Sequence, residues 1–371
     1  MVGRWARMGA LLLLSAAGTP AGQGAWTPTQ NPMRTPRDAH AILVAGEKAL
    51  IMGGRTKPYG ATTTLTEVYD PVSGEIREAG RMIGSRSFFQ PVLLDNSKVL
   101  AAGGYRQPNP HGTIRDCELY DPRKQRWKRT GAMQIPRELY AAVKLPNGDV
   151  LVIAGFSNGD ITRTVERYET RRGRFRPAAG LQTARFGHTA TLLDGRILVA
   201  GGRAARDISL TSTEIYDIGS GAWSAGPDMQ EDRFRHMATR LADGRVLITG
   251  GYSSKQRKTL ASAEIYDPDA NTFTLLPAAM SDGRMDHTAT LLPDGRVLIA
   301  GGWNSVKNRT VASVDIFDPA TNAFAPAAPL PVSRHEQAAA LLPTGAVLLT
   351  GGLQHEPSSE QMLNDALVYR P

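Results

Sequence analysis

The stretch that decides the fold is HMATRLADGRVLITGG at residues 236–251, followed by AEIYDPDANTFTLL at residues 263–276. It contains four short runs of β-favouring residues, at positions 236–241, 246–250, 263–266 and 272–275. An Asp-Gly pair separates the first two runs, and such a pair is a strong signal for a tight β-hairpin. The stretch therefore predicts a four-stranded antiparallel sheet.

The same unit recurs along the chain with a nearly constant period. Its marker is a glycine pair after an apolar run, at residues 53–54, 103–104, 201–202, 250–251, 301–302 and 351–352, with Ala154-Gly155 in the remaining copy. Successive markers are 50, 51, 47, 49, 51 and 50 residues apart. A fixed period of this size is typical of a β-propeller, in which each repeat forms one blade.

Two further motifs accompany the glycine pair. The third run has the pattern Glu-x-Tyr-Asp or a close variant, at residues 67–70, 118–121, 166–169, 214–217, 264–267 and 315–318. A bulky residue follows in the fourth run: Ile76, Trp127, Phe175, Trp223, Phe273 and Phe324. This combination resembles the Kelch motif over nearly all of residues 25–371. The resemblance implies an all-β, seven-bladed Kelch β-propeller with four antiparallel strands per blade.

The seventh unit has only three runs, the last near Val368. Trp26 stands seven residues before Met33, just as Phe273 stands seven residues before Met280. We therefore expect an N-terminal strand near Trp26 to pair with the strand near Val368 and to close the ring, which removes an open sheet edge. Residues 25–371 are predicted to form one domain.

Residues 1–24 have the pattern of a secretory signal peptide. Arg4 and Arg7 precede an apolar segment at residues 8–17, and small residues follow. This predicts export to a periplasmic or extracellular location without a membrane anchor, after cleavage at Ala17, Ala21 or Gly24. With Cys117 as its one cysteine, the chain has no disulfide framework or cysteine-rich zinc module.

The chain is basic, with 43 Lys and Arg against 35 Asp and Glu, a formal net charge of +8. Seven long loops between the second and third runs are expected on the same face as the starts of the first runs; we call this the loop face. Their charges sum to +7. The loop with Lys255, Arg257 and Lys258 is the most basic, whereas the last loop, with Glu356 and Glu360, is acidic. The pattern favours an anionic partner.

An arginine precedes every first strand, and a histidine often stands three residues later. These are predicted to be ligand-binding residues at the mouth of the central channel: Arg37, Arg86, Arg137, Arg185, Arg233, Arg284, Arg334, His188, His236 and His287. Guanidinium groups bind carboxylates, sulfates and phosphates through paired hydrogen bonds.

The alternative for both sets is architectural. Each arginine can pair with the acidic residue that opens the third strand, since buried charges require partners. In the last blade Ala366 replaces that acid, so we expect Arg334 to lack a partner. The histidines can be hydrogen-bonding core residues, and no metal site is predicted.

Two enzyme families offer further comparisons. Residues 284–302 are similar to a galactose oxidase blade with a Tyr-His copper pair, which would make His287 a ligand, but Asp286 stands at the tyrosine position. A copper oxidase is therefore not expected. An exported bacterial Kelch epimerase that acts on sialic acid is similar at the level of fold alone.

The sequence thus predicts an exported Kelch-repeat binding module, without a cofactor, that recognises an acidic saccharide or an anionic protein surface through its basic loop face. Lys255, Arg257 and Lys258 are the predicted contact residues outside the channel. The alternative is an exported carbohydrate-active enzyme of the sialic-acid epimerase kind. A monomer is expected. Nucleic acid is not expected as a partner, because the aromatic residues are needed for packing between blades.

Overall fold

The computed structural model describes residues 24–107 and 112–371. Seven four-stranded antiparallel sheets follow one another around a closed ring. The first strand of each sheet contacts the first strands of the two adjacent sheets, so the seven first strands surround a central channel. The predicted seven-bladed β-propeller is confirmed.

Blades one to four are formed by consecutive strands. From the channel outward these are β2 (Ala41–Ala45), β3 (Lys48–Met52), β4 (Leu65–Asp70) and β5 (Glu75–Arg81); β6 (Val92–Leu93), β7 (Val99–Ala102), β8 (Cys117–Asp121) and β9 (Arg126–Arg129); β10 (Ala141–Lys144), β11 (Val150–Ser157), β12 (Asp160–Glu169) and β13 (Arg174–Ala178); β14 (Thr189–Leu192), β15 (Arg196–Ala200), β16 (Thr213–Asp217) and β17 (Ala222–Ala225). A 3-10 turn at Ala205–Asp207 precedes β16.

Blades five to seven each carry an additional short hairpin between their second and third strands. Their main strands are β18 (Met237–Arg240), β19 (Val246–Thr249), β22 (Ala263–Asp267) and β23 (Thr272–Leu275); β24 (Thr288–Leu291), β25 (Val297–Ala300), β28 (Val314–Asp318) and β29 (Ala323–Ala327); β30 (Ala338–Leu341), β31 (Val347–Thr350), β34 (Ala366–Arg370) and β1 (Ala25–Pro28). The hairpins are β20 (Tyr252–Ser253) with β21 (Lys258–Thr259), β26 (Trp303–Asn304) with β27 (Arg309–Thr310), and β32 (Leu353–Glu356) with β33 (Ser359–Met362).

Burial follows the position of a strand within its blade. The second strand β19 is buried at every residue because neighbouring blades cover both of its faces. The outer strand β23 alternates, with only Phe273 buried. That ring packs on Tyr266 of β22, with 4.9 Å between the ring centroids. The four strands predicted in this repeat agree with the observed ones to within one residue at each end.

Ring closure depends on the first strand of the structure. β1 pairs with β34 and places Trp26 opposite Tyr369. The two rings are 5.1 Å apart, and the Trp26 indole donates a hydrogen bond to the Ala328 carbonyl at 2.9 Å. The predicted pairing of the chain ends is therefore confirmed.

The glycine pair brings adjacent blades into contact. Gly302 has a φ of +112°, and a Cβ there would lie 2.8 Å from the Met285 carbonyl oxygen. Its N–H donates to the carbonyl of Arg334 in the next blade at 2.7 Å. Glycine is required here because the backbone takes a left-handed conformation where two segments of the chain approach closely.

The predicted leader, residues 1–24, lies outside the described residues except for Gly24. Among the residues that are described, there is no helix with the length and apolar character needed to span a bilayer.

Candidate binding site at the channel mouth

The seven arginines that precede the first strands are all completely buried. Each forms an ion pair with an acidic residue in, or directly before, the third strand of its own blade: Arg37–Glu67, Arg86–Glu118, Arg137–Glu166, Arg185–Glu214, Arg233–Glu264, Arg284–Asp315 and Arg334–Asp365. These contacts are the ones expected from the architectural alternative, in which each arginine pairs with an acidic residue of its own blade.

Arg185 shows the arrangement in detail. One terminal nitrogen donates to the Gly201 and Ser212 carbonyls at 2.8 and 2.9 Å, and the other donates to Glu214 at 2.9 Å. Glu214 also accepts hydrogen bonds from the backbone N–H groups of Gln182 and Thr183. Both ends of the pair are occupied, so ligand binding by these arginines stays a prediction that the geometry does not favour.

The expectation that Arg334 lacks a partner is wrong. Asp365, one residue before Ala366, binds both terminal nitrogens of Arg334 at 2.6 and 2.7 Å. The aspartate side chain is shorter than that of glutamate, but Asp365 stands one position earlier in the chain than the acid of the other repeats. From there its carboxylate reaches the Arg334 guanidinium. Its side chain is 35% exposed, whereas Glu214 is 4% exposed.

Two of the three predicted histidines, His236 and His287, form hydrogen bonds between adjacent blades. His236 Nε2 lies 2.9 Å from Thr189 Oγ1 of the preceding blade, and His287 Nε2 lies 2.9 Å from Thr249 Oγ1. Burial lowers the pKa of His236 to about 3 and that of His188 well below its usual value, so these rings are neutral. Their predicted role as ligand-binding residues stays untested.

A closed ring of backbone hydrogen bonds surrounds the channel on the loop face. It involves the residue two positions after each buried arginine, and each of these N–H groups donates to the carbonyl of its counterpart in an adjacent blade at 2.9–3.3 Å. All seven have φ between +47° and +61°: Ala39, Phe88, Leu139, Gly187, Arg235, Asp286 and Glu336. The left-handed conformation turns this column of residues toward the channel mouth.

Charged side chains from this ring and its flanks form a network over the mouth. Arg235 donates to Asp286 at 2.8 Å and to Glu336 at 3.0 Å. Arg55 forms a paired hydrogen bond with Asp38, at 2.8 and 2.6 Å, and also binds Glu336. Two guanidinium groups thus share three carboxylates contributed by different blades.

A pocket of about 610 Å³ opens above this network. Arg55, Arg235, Glu138 and Glu336 contribute polar groups to its wall, and its apolar lining includes Phe88, Tyr105 and Trp303. Arg235 lies over the Phe88 ring at 5.7 Å, although the two residues belong to different blades. The mixture of aromatic faces and charged groups suits a polar ligand with some apolar surface.

Glu138 is the pocket carboxyl without a hydrogen-bonding partner among the described residues. Burial raises its pKa to about 7, against the opposing effect of Arg235 and Arg55. Burial also raises the pKa of Asp38 to about 7 despite its bonds to Arg55. Glu336 differs: burial favours its neutral form, but Arg55, His335 and Arg235 outweigh this and hold its pKa below the usual value.

The predicted basic residues of the loop face lie away from this pocket wall. Lys255 and Arg257 are exposed on the turn between β20 and β21, and Lys258 is exposed at the first position of β21. Two hydrogen bonds between Thr259 and Ser305 attach this hairpin to the β26–β27 hairpin. The role of these three cations as contact residues stays a prediction.

Four charged residues at the channel mouth are not among the predicted site residues: Asp38, Glu138, Arg235 and Glu336. Asp286 is predicted only as a mismatch to a copper ligand. For Arg235, Asp286 and Glu336 the available signal was the repeated position two residues after each buried arginine. Asp38 and Glu138 stand one residue after their arginines and have no such signal. Gly187 occupies the position two residues after its arginine, and glycine at a repeated position suggests a left-handed backbone. Charged residues at this position point toward the channel.

Comparisons with known proteins agree with this architecture. A family model for the Kelch motif matches residues 184–230, 233–280 and 287–331. The chain is thus a seven-bladed β-propeller that contains Kelch motifs. It is 28% identical to human Kelch-like protein 23 over 251 residues, which is 66% of this chain and 43% of that protein. It is 24% identical to mouse Kelch-like protein 15 over 62% of this chain and 41% of that protein. The Kelch-repeat propeller therefore spans less than half the length of these relatives.

A solved structure shares the fold. A fungal alcohol oxidase of the AA5 family, described in complex with copper, matches with a TM-score of 0.76 and 19% sequence identity. The alignment covers 94% of this Kelch-repeat propeller and 77% of the oxidase. Identity at this level shows the fold alone.

The channel mouth does not fit a copper site. Within the described ranges, the group that gathers three candidate ligand atoms is Asp286, His335 and Glu336, with the atoms within 4.8 Å of one another. Arg235 binds both carboxylates, and Arg55 binds Glu336. A cation at this point would lie against two guanidinium charges and would have to displace their hydrogen bonds.

Removing the partner of a buried arginine should destabilise the propeller strongly. We expect Glu214→Ala to lower the free energy of unfolding by about 3–5 kcal/mol, because Arg185 would remain buried without a counter-charge. Asp194→Ala, which removes the 95% exposed partner of Arg240, should have no measurable effect. Urea unfolding of the two variants tests this; equal effects would contradict the architectural role.

Glu138 should make stability depend on pH. Its pKa is raised on folding, so its stabilising contribution is full below its ordinary pKa and is lost as the pH rises toward 7. Glu138→Gln should therefore be more stable than wild type at pH 8, by about 2–3 kcal/mol, with the difference shrinking toward pH 5. Urea unfolding across this range measures it, with surface variant Glu47→Gln as control. A pH-independent difference would contradict the buried titration.

Proposed function

We propose that this Kelch-repeat propeller is an exported binding module that holds an acidic surface of a partner protein on its loop face. The observation that carries the proposal is the group of three exposed cations, Lys255, Arg257 and Lys258, on one hairpin of the loop face. Kelch propellers are typical protein-interaction modules, which supports a protein partner. An acidic saccharide on the same face is the alternative partner.

The hairpins of blades five to seven are linked into one wall on the loop face, and those of blades six and seven line the pocket. Thr259 and Ser305 connect the first two hairpins, and Thr310 donates a hydrogen bond to the His355 carbonyl of the third at 3.1 Å. Such cross-links hold the exposed cations on a rigid support, which lowers the entropic cost of binding.

Charge along this wall is uneven. The hairpin with Lys255, Arg257 and Lys258 is positive, and Arg309 on the next hairpin is also exposed. The third hairpin carries Glu356 and Glu360. An acidic partner would therefore be oriented toward blades five and six and away from blade seven.

The pocket gives this surface a second contact. Trp303 lies at the base of the β26–β27 hairpin and lines the pocket together with Arg55. A side chain from the partner that enters the pocket could pack on the indole and accept hydrogen bonds from Arg55. Buried aromatic and arginine contacts usually contribute most of the affinity at an interface.

Charge reversal on the hairpin tests the proposal. Lys255→Glu/Arg257→Glu/Lys258→Glu should weaken binding of labelled poly-glutamate by at least about tenfold at low salt, because attraction becomes repulsion. The opposite exchange on blade seven, Glu356→Lys/Glu360→Lys, should strengthen it. Fluorescence anisotropy measures both; unchanged affinity in the first variant would reject this face as the anionic-partner site.

The carbohydrate-active alternative is favoured by one observation, the unpartnered Glu138 carboxyl beside an aromatic-lined pocket. A carboxyl with a pKa near 7 can both take and give a proton at neutral pH. It could accept the proton of an anomeric hydroxyl and return a proton to the ring oxygen as the sugar ring opens. Ring closure on the other face would then exchange the anomers.

This alternative predicts a measurable activity on a sialic acid. The protein should accelerate the interconversion of its α and β anomers, and Glu138→Gln should abolish the acceleration without unfolding the propeller. Time-resolved proton NMR of the anomers provides the measurement. Interconversion at the uncatalysed rate with the wild-type protein would eliminate the alternative and leave the binding module.

A further inference from the structure

A second basic surface lies on the outer wall of the propeller, away from the loop face. In blade two it consists of the exposed residues Arg123, Lys124, Arg126, Lys128 and Arg129 on β9 and the turn before it. In blade three it continues with the exposed residues Arg171, Arg172, Arg174 and Arg176 on β13 and its turn. We call these nine residues the outer basic band.

The band arises from the alternation of the outer strands. Trp127 and Phe175 point inward and are 5% and 8% exposed. Their neighbours on each side therefore point outward, and in these two blades they are Arg126, Lys128, Arg174 and Arg176. The matching residues beside Phe273 are Thr272 and Thr274, and alanines occupy both positions in blade six. Packing alone does not require cations here.

Contacts between blades make the band continuous. The Gly131 N–H donates to the Gly173 carbonyl at 2.9 Å, which joins the end of β9 to the turn before β13. Thr130 Oγ1 lies 2.6 Å from the Tyr168 hydroxyl at the same junction. Cationic side chains thus run along the wall from one blade to the next on a fixed backbone.

Few negative charges offset the band. Residues 121–130 and 169–177 contain nine cations and two carboxylates. Arg172, Arg174 and Arg176 all share Glu169, at 3.1, 2.8 and 3.4 Å. Within residues 24–107 and 112–371, no carboxylate forms an ion pair with the charged groups of the five blade-two cations. Asp121 accepts hydrogen bonds from the backbone N–H groups of Arg123 and Lys124. Residues 1–23 and 108–111 contain no Asp or Glu.

A groove accompanies the cations. It has a volume of about 660 Å³, and its lining includes Leu119, Trp127 and Ile83, with Lys98, Lys124 and Arg126 among its charged residues. Ile83 is 50% exposed. The groove therefore combines an apolar surface with surrounding positive charge at one end of the band.

We infer that the outer basic band binds a linear acidic polysaccharide, with its carboxylate or sulfate groups on the arginines and lysines. Guanidinium groups bind both anions through paired hydrogen bonds, and the exposed apolar side chain of Ile83 in the groove suits the less polar face of a sugar ring. Single-stranded nucleic acid is disfavoured because the aromatic residues of these strands, Trp127 and Phe175, are buried and offer no face for base stacking.

A pair of variants with equal change in net charge tests the inference. Arg126→Gln/Lys128→Gln/Arg174→Gln/Arg176→Gln removes four positive charges from the band. The control Thr272→Glu/Thr274→Glu/Ala323→Glu/Ala325→Glu places four negative charges at the corresponding exposed positions of blades five and six. Circular dichroism and thermal unfolding establish that both remain folded.

Binding is measured on immobilised heparin and by calorimetry with heparin and polygalacturonate, which separate sulfate from carboxylate recognition. We expect the band variant to lose at least about tenfold in affinity for one or both polymers and the control to stay near wild type. Poly-glutamate binding should be unaffected by the band variant, and the triple hairpin variant should keep polysaccharide binding.

Three results would overturn the inference. The first is equal loss in both four-residue variants, which would reflect net charge rather than a site. The second is wild-type polysaccharide binding in the band variant. The third is tighter binding of duplex DNA or of phosphatidylserine vesicles than of either polysaccharide through the same four residues, which would assign the band to another class of polyanion.

Discussion

The rest of the structure depends on one contact that is repeated in every blade. It is a buried ion pair between the arginine before the first strand and an acidic residue in, or directly before, the third strand. The same guanidinium also binds carbonyls of the glycine segment, as Arg185 does at Gly201. The acid in turn fixes the backbone that leads into the blade, as Glu214 does at Gln182. One buried charge pair therefore determines where three separate segments of a blade meet, and removal of either charge leaves the other without compensation.

That constraint also creates the candidate site. Because the arginine is held inside the blade, the chain must turn sharply before the first strand begins, and the residue two positions later takes a left-handed conformation. Non-glycine residues adopt this conformation at a cost, which the closed ring of hydrogen bonds offsets. The side chains of Arg235, Asp286 and Glu336 are thereby directed to the mouth of the channel. The residue type at this ring position differs from blade to blade.

The blades can be predicted from the sequence because the residues that pack them recur in every repeat. The period of the glycine pair, the inward aromatic of the outer strand and the missing strand of blade seven were sufficient to predict the ring and its closure at Trp26. The site was harder to predict because its residues do not repeat: Asp38, Glu138 and Arg235 each occur once, from different blades, and only the closed ring brings them together. The partner of Arg334 could not be predicted for a related reason, since Asp365 pairs with it from a position outside the repeating motif.

The distribution of charge follows from the same difference between positions that blade packing determines and positions that it leaves variable. Inner strands are covered on both faces and cannot carry a charge without a partner, which leaves loops and the exposed positions of outer strands. Lys255, Arg257 and Lys258 occupy the first kind of position, and Arg126, Lys128, Arg174 and Arg176 occupy the second. Blade packing is satisfied equally well by threonine or alanine at the outer positions, as blades five and six show. Cations concentrated on two adjacent outer strands, with Glu169 shared among three arginines, repel one another in the free protein, and an anionic ligand would relieve that repulsion.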